Sequence, residues 1–243
     1  MKLLPPRTFL DPADLAHPEE VFVIIPSYNE GSVLKKTLVH LIQQGYSIVV
    51  VDDGSIDNTG QTLKGLPIYY LQHPINLGQG AAIQTGMTFA LGQGAKWIVH
   101  FDADGQHRSQ DIPVLLKPLL EEKADVALGS RFLRWQHKKA VPWAKRLLLQ
   151  TAVWVNGVLT GLWLSDAHNG LRALSRTAAQ KIQLKENGFA HATEIMNQIR
   201  RLKLRYIEIP TKIRYTEYSQ AKGQSIWNAF NILIDLLLRG IFR

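Results

Sequence analysis

The residues best placed to do chemistry in this 243-residue chain are Asp102 and Asp104, in the stretch Asp102-Ala103-Asp104-Gly105-Gln106. They follow the run Trp97-Ile98-Val99-His100-Phe101. An apolar run of that length, closed by turn residues, predicts a buried strand of a parallel sheet with the Asp pair at its C-terminal end. Open α/β sheets bind ligands at that edge. Residues i and i+2 of an extended chain face one side, so Asp102 and Asp104 aim together, and a turn at Gly105 would bring the Gln106 carbonyl to the same point. Two like charges so close need a partner, and the cheapest is a hard divalent cation, Mg²⁺ or Mn²⁺, completed by water and phosphate oxygens.

Other readings of the pair stand beside this one. An EF-hand loop counted from Asp102 needs Gly at its sixth position and Glu at its twelfth, where this chain has His107 and Pro113, so that reading fails. A structural Asp-Gly turn after a strand remains open. So does an aspartate-nucleophile phosphatase of the haloacid dehalogenase type, although in that family the motif follows the first strand and here three strand candidates precede it.

Two more acidic groups, Glu30 and Asp52-Asp53, also fall at strand ends. A carboxylate at the end of a second strand can accept from two sugar hydroxyls of a ribose, and Asp52-Asp53-Gly54-Ser55 reads equally as a helix-capping turn. Gly78-x-Gly80 lacks the third glycine of a dinucleotide fingerprint, leaving a tight turn and a phosphate cradle as alternatives.

The elements that must position these groups alternate from Val21 onward. Strands are expected at Val21–Ile25, Ile48–Val51, Ile68–Leu71, Trp97–Phe101 and Val126–Leu128. Between the first two lies a helix with Leu34, Leu38, Leu41 and Ile42 on one face, stopped by Gly45. Strand and helix alternating with short turns predicts an α/β fold, a doubly wound, mostly parallel sheet with right-handed crossovers. The chain is 46% hydrophobic and 20% charged, which describes a folded domain with a sizeable core. Lys and Arg total 28 against 20 Asp and Glu, and the net charge of +8 favours an anionic partner: nucleic acid, anionic lipid or a phosphorylated substrate. With no cysteine, thiolate metal sites, disulfides and Cys nucleophiles are excluded. Met1-Lys2-Leu3-Leu4-Pro5-Pro6-Arg7 lacks the apolar core of a signal peptide, so a cytoplasmic location is expected.

Five ordered stretches together resemble the family 2 glycosyltransferases, whose GT-A fold binds nucleotide sugars: Ile25-Pro26-Ser27-Tyr28-Asn29-Glu30, Val51-Asp52-Asp53-Gly54-Ser55, Asn76-Leu77-Gly78-Gln79-Gly80, Asp102-Ala103-Asp104-Gly105-Gln106 and Gly129-Ser130-Arg131-Phe132. The resemblance implies that Pro26, Tyr28, Glu30, Val51 and Asp53 hold base and ribose. It also implies that Asp102, Ala103 and Asp104 hold the rest of the donor, with Asp102, Asp104 and Gln106 at the metal and diphosphate, and Asp104 and Arg131 at the reaction itself. Gln79 departs from the family, in which many members carry Lys or Arg there.

The second half is similar to the polyprenyl-phosphate sugar transferases of that family, through Asp166-Ala167-His168-Asn169-Gly170-Leu171-Arg172, Ile209-Pro210, Arg214, and Tyr218-Ser219-Gln220-Ala221-Lys222-Gly223-Gln224-Ser225. This implies that Ser130, Arg131, Arg214 and Lys222 receive the acceptor and donor phosphates. The implied partners are a nucleotide diphosphate sugar (GDP-mannose or UDP-glucose), a polyprenyl phosphate lipid and the membrane surface, and not nucleic acid. Basic residues beside a metal site also make independent sense, because two phosphorylated substrates must approach without repelling each other. A hydroxyl acceptor needs a carboxylate base, whereas a phosphate monoester, with a second pKa of about 6, arrives already ionised. Outside the first-half motifs only Glu194 and Asp166 could serve as such a base, and neither sits in a convincing base motif, Glu194 reading equally as a solvated charge on an amphipathic helix.

Residues 1–20 read as an N-terminal extension, 21–215 as the glycosyltransferase domain, and 216–243 as an acceptor loop and amphipathic C-terminal helix. Leu147 to Ser165 carries no charge, but its polar residues and spread tryptophans favour a helix lying on the bilayer or packed on the core over one that spans. From Ile226 the apolar face is too wide for a free surface helix and calls for a membrane, a second subunit in a homo-oligomer, or the Leu147 helix. Peripheral membrane association is therefore expected. Gln198-x-x-Arg201 and the segment around it read as an amphipathic helix.

Overall fold

The structure is a computed structural model that describes residues 17–133, 153–154, 157–158, 160–166, 169–188 and 190–213, with the side chain of Ser32 left out. Its strands are β1 (Val21–Ser27), β2 (Ser47–Asp52), β3 (Tyr69–Gln72), β4 (Trp97–His100), β5 (Val126–Ser130), β6 (Arg172–Ser175) and β7 (Tyr206–Pro210). They form one sheet in the order β3-β2-β1-β4-β6-β5-β7. All neighbouring pairs are parallel except β4–β6 and β5–β6. The mostly parallel α/β sheet and all five expected strands are present.

Helices cover both faces, which is why the central strands read as unbroken apolar runs. Within β1, Val21, Val23 and Ile25 point into one core layer with Leu34, Leu38 and Leu41 of α1 (Gly31–Gln43) and Ile112, Leu115 and Leu116 of α4 (Ile112–Leu120). Phe22 and Ile24 point the other way, toward Ala82, Ile83 and Met87 of α3 (Gln79–Gly92) and Ile195, Met196 and Ile199 of α6 (His191–Arg201). Short helices α2 (Thr59–Leu63) and α5 (Arg176–Lys181) complete the layers. Gly45, at φ +78°, ends α1 in the left-handed region, as its sequence position predicts. Helix α3 lies so close to the sheet that a Cβ on Gly86 would stand 2.3 Å from the Ile24 side chain.

Strand β6 was not expected from the sequence. It has four residues with polar ends, and it enters between β4 and β5 because Leu174 and Ala173 complete the core layers opposite Ile98 and Val99. The anticipated helix through Leu147–Ser165 is only partly described. Gly161 (φ +66°) turns the chain, and Leu162 and Leu164 then bury in the core while Trp154 and Trp163 remain exposed. Among the described residues no helix is long and apolar enough to cross a membrane. The expected C-terminal helix, the acceptor loop, Arg214 and Lys222 lie outside the described residues.

Candidate active site

Because β1, β2 and β4 run parallel, their C-terminal turns gather Glu30, Asp52-Asp53 and Asp102-Asp104 on one edge of the sheet. The turns are stitched together: Asp53 N–H donates to the Ser27 carbonyl at 2.8 Å, and Phe101 N–H to the Ile24 carbonyl at 3.0 Å. Asn29, held at φ +55°, donates its N–H to Ser55 Oγ and accepts from Ile56 N–H on Oδ1. Asp52 is 1% exposed and accepts from Ser55 N–H and from the Tyr70 hydroxyl. Its carboxylate therefore builds the turn. Asp53 is also buried, with Oδ1 taking Leu77 N–H and the His73 ring, and Oδ2 taking Gly78 N–H.

That anchored loop leads into α3. Gly78 (φ +105°) and Gly80 meet the carbonyl of Asn187, which accepts Gly80 N–H at 2.7 Å. A Cβ on Gly80 would stand 2.0 Å from the Glu186 carbonyl oxygen. Of the two readings of Gly78-x-Gly80, the tight turn holds: a protein carbonyl occupies the helix N-terminus where a cradled phosphate would sit, and the glycines permit its close approach.

Asp102 lies where β4 ends, its side chain 30% exposed. Oδ1 accepts from Gln79 Nε2 at 3.2 Å, and Oδ2 is 2.8 Å from His107 Nε2. Burial alone would raise its pKa, but the His107 hydrogen bond and the charges of His107, Arg172 and His191 outweigh that and hold the carboxyl below its ordinary value. An ionised Asp102 can only accept, so His107 Nε2 is the donor. Asp104 Oδ1 accepts Gln106 N–H at 2.9 Å across a turn that Gly105 makes at φ +72°. The chemistry of this donor set fits a hard cation: two carboxylates two residues apart, on the ligand edge. The described residues contain no cluster of three or more His, Cys, Asp or Glu side chains able to hold a metal, so water and substrate oxygens would complete its shell.

Behind this edge stands Arg131. Its Nε and Nη2 donate to Asp166 Oδ2 and Oδ1 at 2.6 and 2.7 Å, and its N–H adds a third bond to Oδ2. Glu208 of β7 orders the Asp166 turn by accepting from Ser165 N–H, Ser165 Oγ and Asp166 N–H. Ser130 is fully buried, with Oγ 2.6 Å from Ser165 Oγ. Glu194 accepts from the backbone N–H groups of Lys185 and Glu186 and from Gln198 Nε2.

Of the residues expected to meet ligands, Tyr28, Glu30, Asp102, Asp104 and Gln106 are at least partly exposed, while Pro26, Val51, Asp53, Ala103, Ser130 and Arg131 are buried. The Val51 side chain belongs to the core, so only its main chain borders the edge. Sequence reading gave His107 no firm role and missed the Gln79–Asp102 and Arg131–Asp166 contacts. The last joins residues 35 apart, and no local spacing signals it.

Comparison with known proteins agrees with this architecture. The profile described as "Glycosyl transferase family 2" matches residues 22–193. The UDP-N-acetylglucosamine–dolichyl-phosphate N-acetylglucosaminyltransferase of Methanococcus voltae is 32% identical over 238 residues, covering 90% of this chain and 95% of that one. The polyprenol monophosphomannose synthase of Mycolicibacterium smegmatis is 29% identical over 245 residues, covering 95% and 91%. The crystal structure of Mycobacterium tuberculosis glucosyl-3-phosphoglycerate synthase with Mn²⁺, UDP and glucosyl-3-phosphoglycerate superposes with a TM-score of 0.65 at 18% identity, covering 98% and 86%. With its profile match running from β1 into α6 and its motifs ranged along one sheet edge, the chain belongs to the family 2 glycosyltransferases.

Proposed function

We propose that this protein transfers one sugar from a nucleotide diphosphate sugar to a polyprenyl phosphate at a membrane surface, with inversion at the anomeric carbon. The observation that carries the choice of acceptor is the state of the two carboxylates that could deprotonate a hydroxyl. Asp166 is tied to Arg131 through both oxygens, and Glu194 is tied to the Lys185 and Glu186 backbone. A phosphate acceptor arrives ionised and needs cations to place it more than a base. The names of the Methanococcus and Mycolicibacterium relatives, which specify dolichyl phosphate and polyprenol monophosphate chemistry, support the same class.

Donor recognition falls to Tyr28, Glu30 and Asp53 with the main chain at Pro26, Val51 and Ala103. Asp102 and Asp104, with Gln106, would hold Mg²⁺ or Mn²⁺, which when bound supplies charge neutralisation at the leaving diphosphate. The structural neighbour with Mn²⁺ and UDP supports that choice of cation. Ser130, Arg131, Arg214 and Lys222 place the phosphates, and Asp166 aims Arg131. GDP-mannose and UDP-glucose are the leading donors. The exposed Trp154 and Trp163, whose rings favour the headgroup region, support peripheral membrane binding.

The test is incubation of the protein with Mg²⁺, a panel of radiolabelled nucleotide sugars and a polyprenyl phosphate. Label entering the organic phase supports transfer and identifies the sugar. Inorganic phosphate released from phosphomonoesters would instead indicate a phosphatase, and nucleotide bound without turnover a binding module.

A further inference from the structure

Arg172 opens β6 at the ligand edge, directly opposite His100 on one side and Leu128 on the other. Directly opposed residues of an antiparallel pair share a face, so its side chain lies beside that of His100, two residues before Asp102. It is 2% exposed, and among the described residues its guanidinium makes no hydrogen bond or ion pair. The negative charges that act on it belong to Asp102 and Asp166. Both already have direct partners, Asp102 in Gln79 and His107, and Asp166 in Arg131. His100 is no counter-ion, since an imidazole is neutral or cationic and supplies no negative charge. A buried guanidinium with no directly paired anion is costly, and proteins rarely keep one without use. Arg172 nevertheless sits at the end of β6 beside the C-terminal end of β4, the edge a substrate oxyanion would approach.

We propose that Arg172 binds a phosphate oxyanion of the substrates, acting as a cation beneath the Asp102-Asp104 edge in addition to the basic residues that sequence motifs point to. The fork has five N–H donors and no acceptor, which suits phosphate oxygens. The oxyanion comes from the nucleotide diphosphate or from the lipid phosphate. This inference rests on the transferase reading above, and its test separates both the two sources and the two claims.

The variant is Arg172→Met, which keeps the stem and removes the charge. Wild type and variant are titrated calorimetrically with Mn²⁺ alone and with UDP or GDP in the presence of Mn²⁺, uridine binding is followed by saturation-transfer NMR, and KM is measured for farnesyl phosphate. The expected result is a loss of about tenfold or more in UDP or GDP affinity if the donor supplies the oxyanion, or a similar rise in farnesyl phosphate KM if the acceptor does. Uridine, which has no phosphate, binds unchanged. Mn²⁺ alone binds at least as tightly, because a repelling charge near Asp102 has gone. Wild-type strength toward all three phosphate compounds would overturn the proposal. So would a parallel weakening of uridine and Mn²⁺, which marks a structural role. If Arg172→Met does not fold, Arg172→Gln, neutral but still a donor, is read by the same criteria. A wild type that binds UDP or GDP but never labels a polyprenyl phosphate would contradict the transferase reading, and the nucleotide titration would still decide the role of Arg172.

Discussion

Asp166 and Arg131, 35 residues apart in the chain, form a buried two-pronged ion pair at 2.6 and 2.7 Å, with side chains 1% and 10% exposed. Removing one partner leaves an uncompensated charge out of water, so Asp166→Ala is expected to lower unfolding free energy by about 3–5 kcal/mol. Urea denaturation checks this. A loss under about 1 kcal/mol would mean that the pair is solvated and weak.

Asp104 makes a local turn contact with Gln106 on a partly exposed edge. Asp104→Ala is therefore expected to leave the melting temperature near that of the wild type and to lower metal-dependent turnover by about a hundredfold or more. EDTA should reproduce the loss in the wild type, and Mn²⁺ should restore it there but not in the variant. Normal metal-dependent turnover by Asp104→Ala would remove this residue from the site.

Glu194 accepts backbone hydrogen bonds from Lys185 and Glu186, and a glutamine can replace only part of them. Glu194→Gln should cost about 1–3 kcal/mol of stability while kcat stays within about threefold. General-base catalysis is worth about 10²–10⁴, so a kcat loss of that size would assign the residue to proton transfer and favour a hydroxyl acceptor.

The two ends of α3 make opposite predictions. At Gly80 a Cβ meets the Glu186 carbonyl, so Gly80→Ala should destabilise by about 1–3 kcal/mol. At Gly92 nothing lies within 4 Å, and Gly92→Ala in a helix should stabilise by about 0.5–1 kcal/mol. Thermal unfolding of both variants checks the pair, and destabilisation by Gly92→Ala would contradict the packing at that end.

The edge that carries the site was legible because strand periodicity and strand-end chemistry are local. Val21–Ile25, Ile48–Val51 and Trp97–Phe101 announce buried strands; Asp52-Asp53 and Asp102-Asp104 follow two of them directly, and Glu30 lies in the turn after the first. What escaped was long-range. Arg172–Ser175 is too short and too polar to read as a strand until its partners on β4 and β5 are known. The competing readings of Gly78-x-Gly80 could be separated only once Asn187, more than 100 residues later, was seen against it. In the same way neither Asp166 nor Glu194 sits in a convincing base motif in sequence, but the partners that hold them, Arg131 and the Lys185–Glu186 backbone, could not be read from it.

The acceptor decides the account, and farnesyl phosphate against farnesol tests it most directly, with the same lipid tail and only the attacking group changed. With the radiolabelled donor that the panel identifies and Mn²⁺ present, label is expected on farnesyl phosphate and none on farnesol, with Glu194→Gln still active. Label on farnesol but not on farnesyl phosphate, lost in Glu194→Gln, would contradict it.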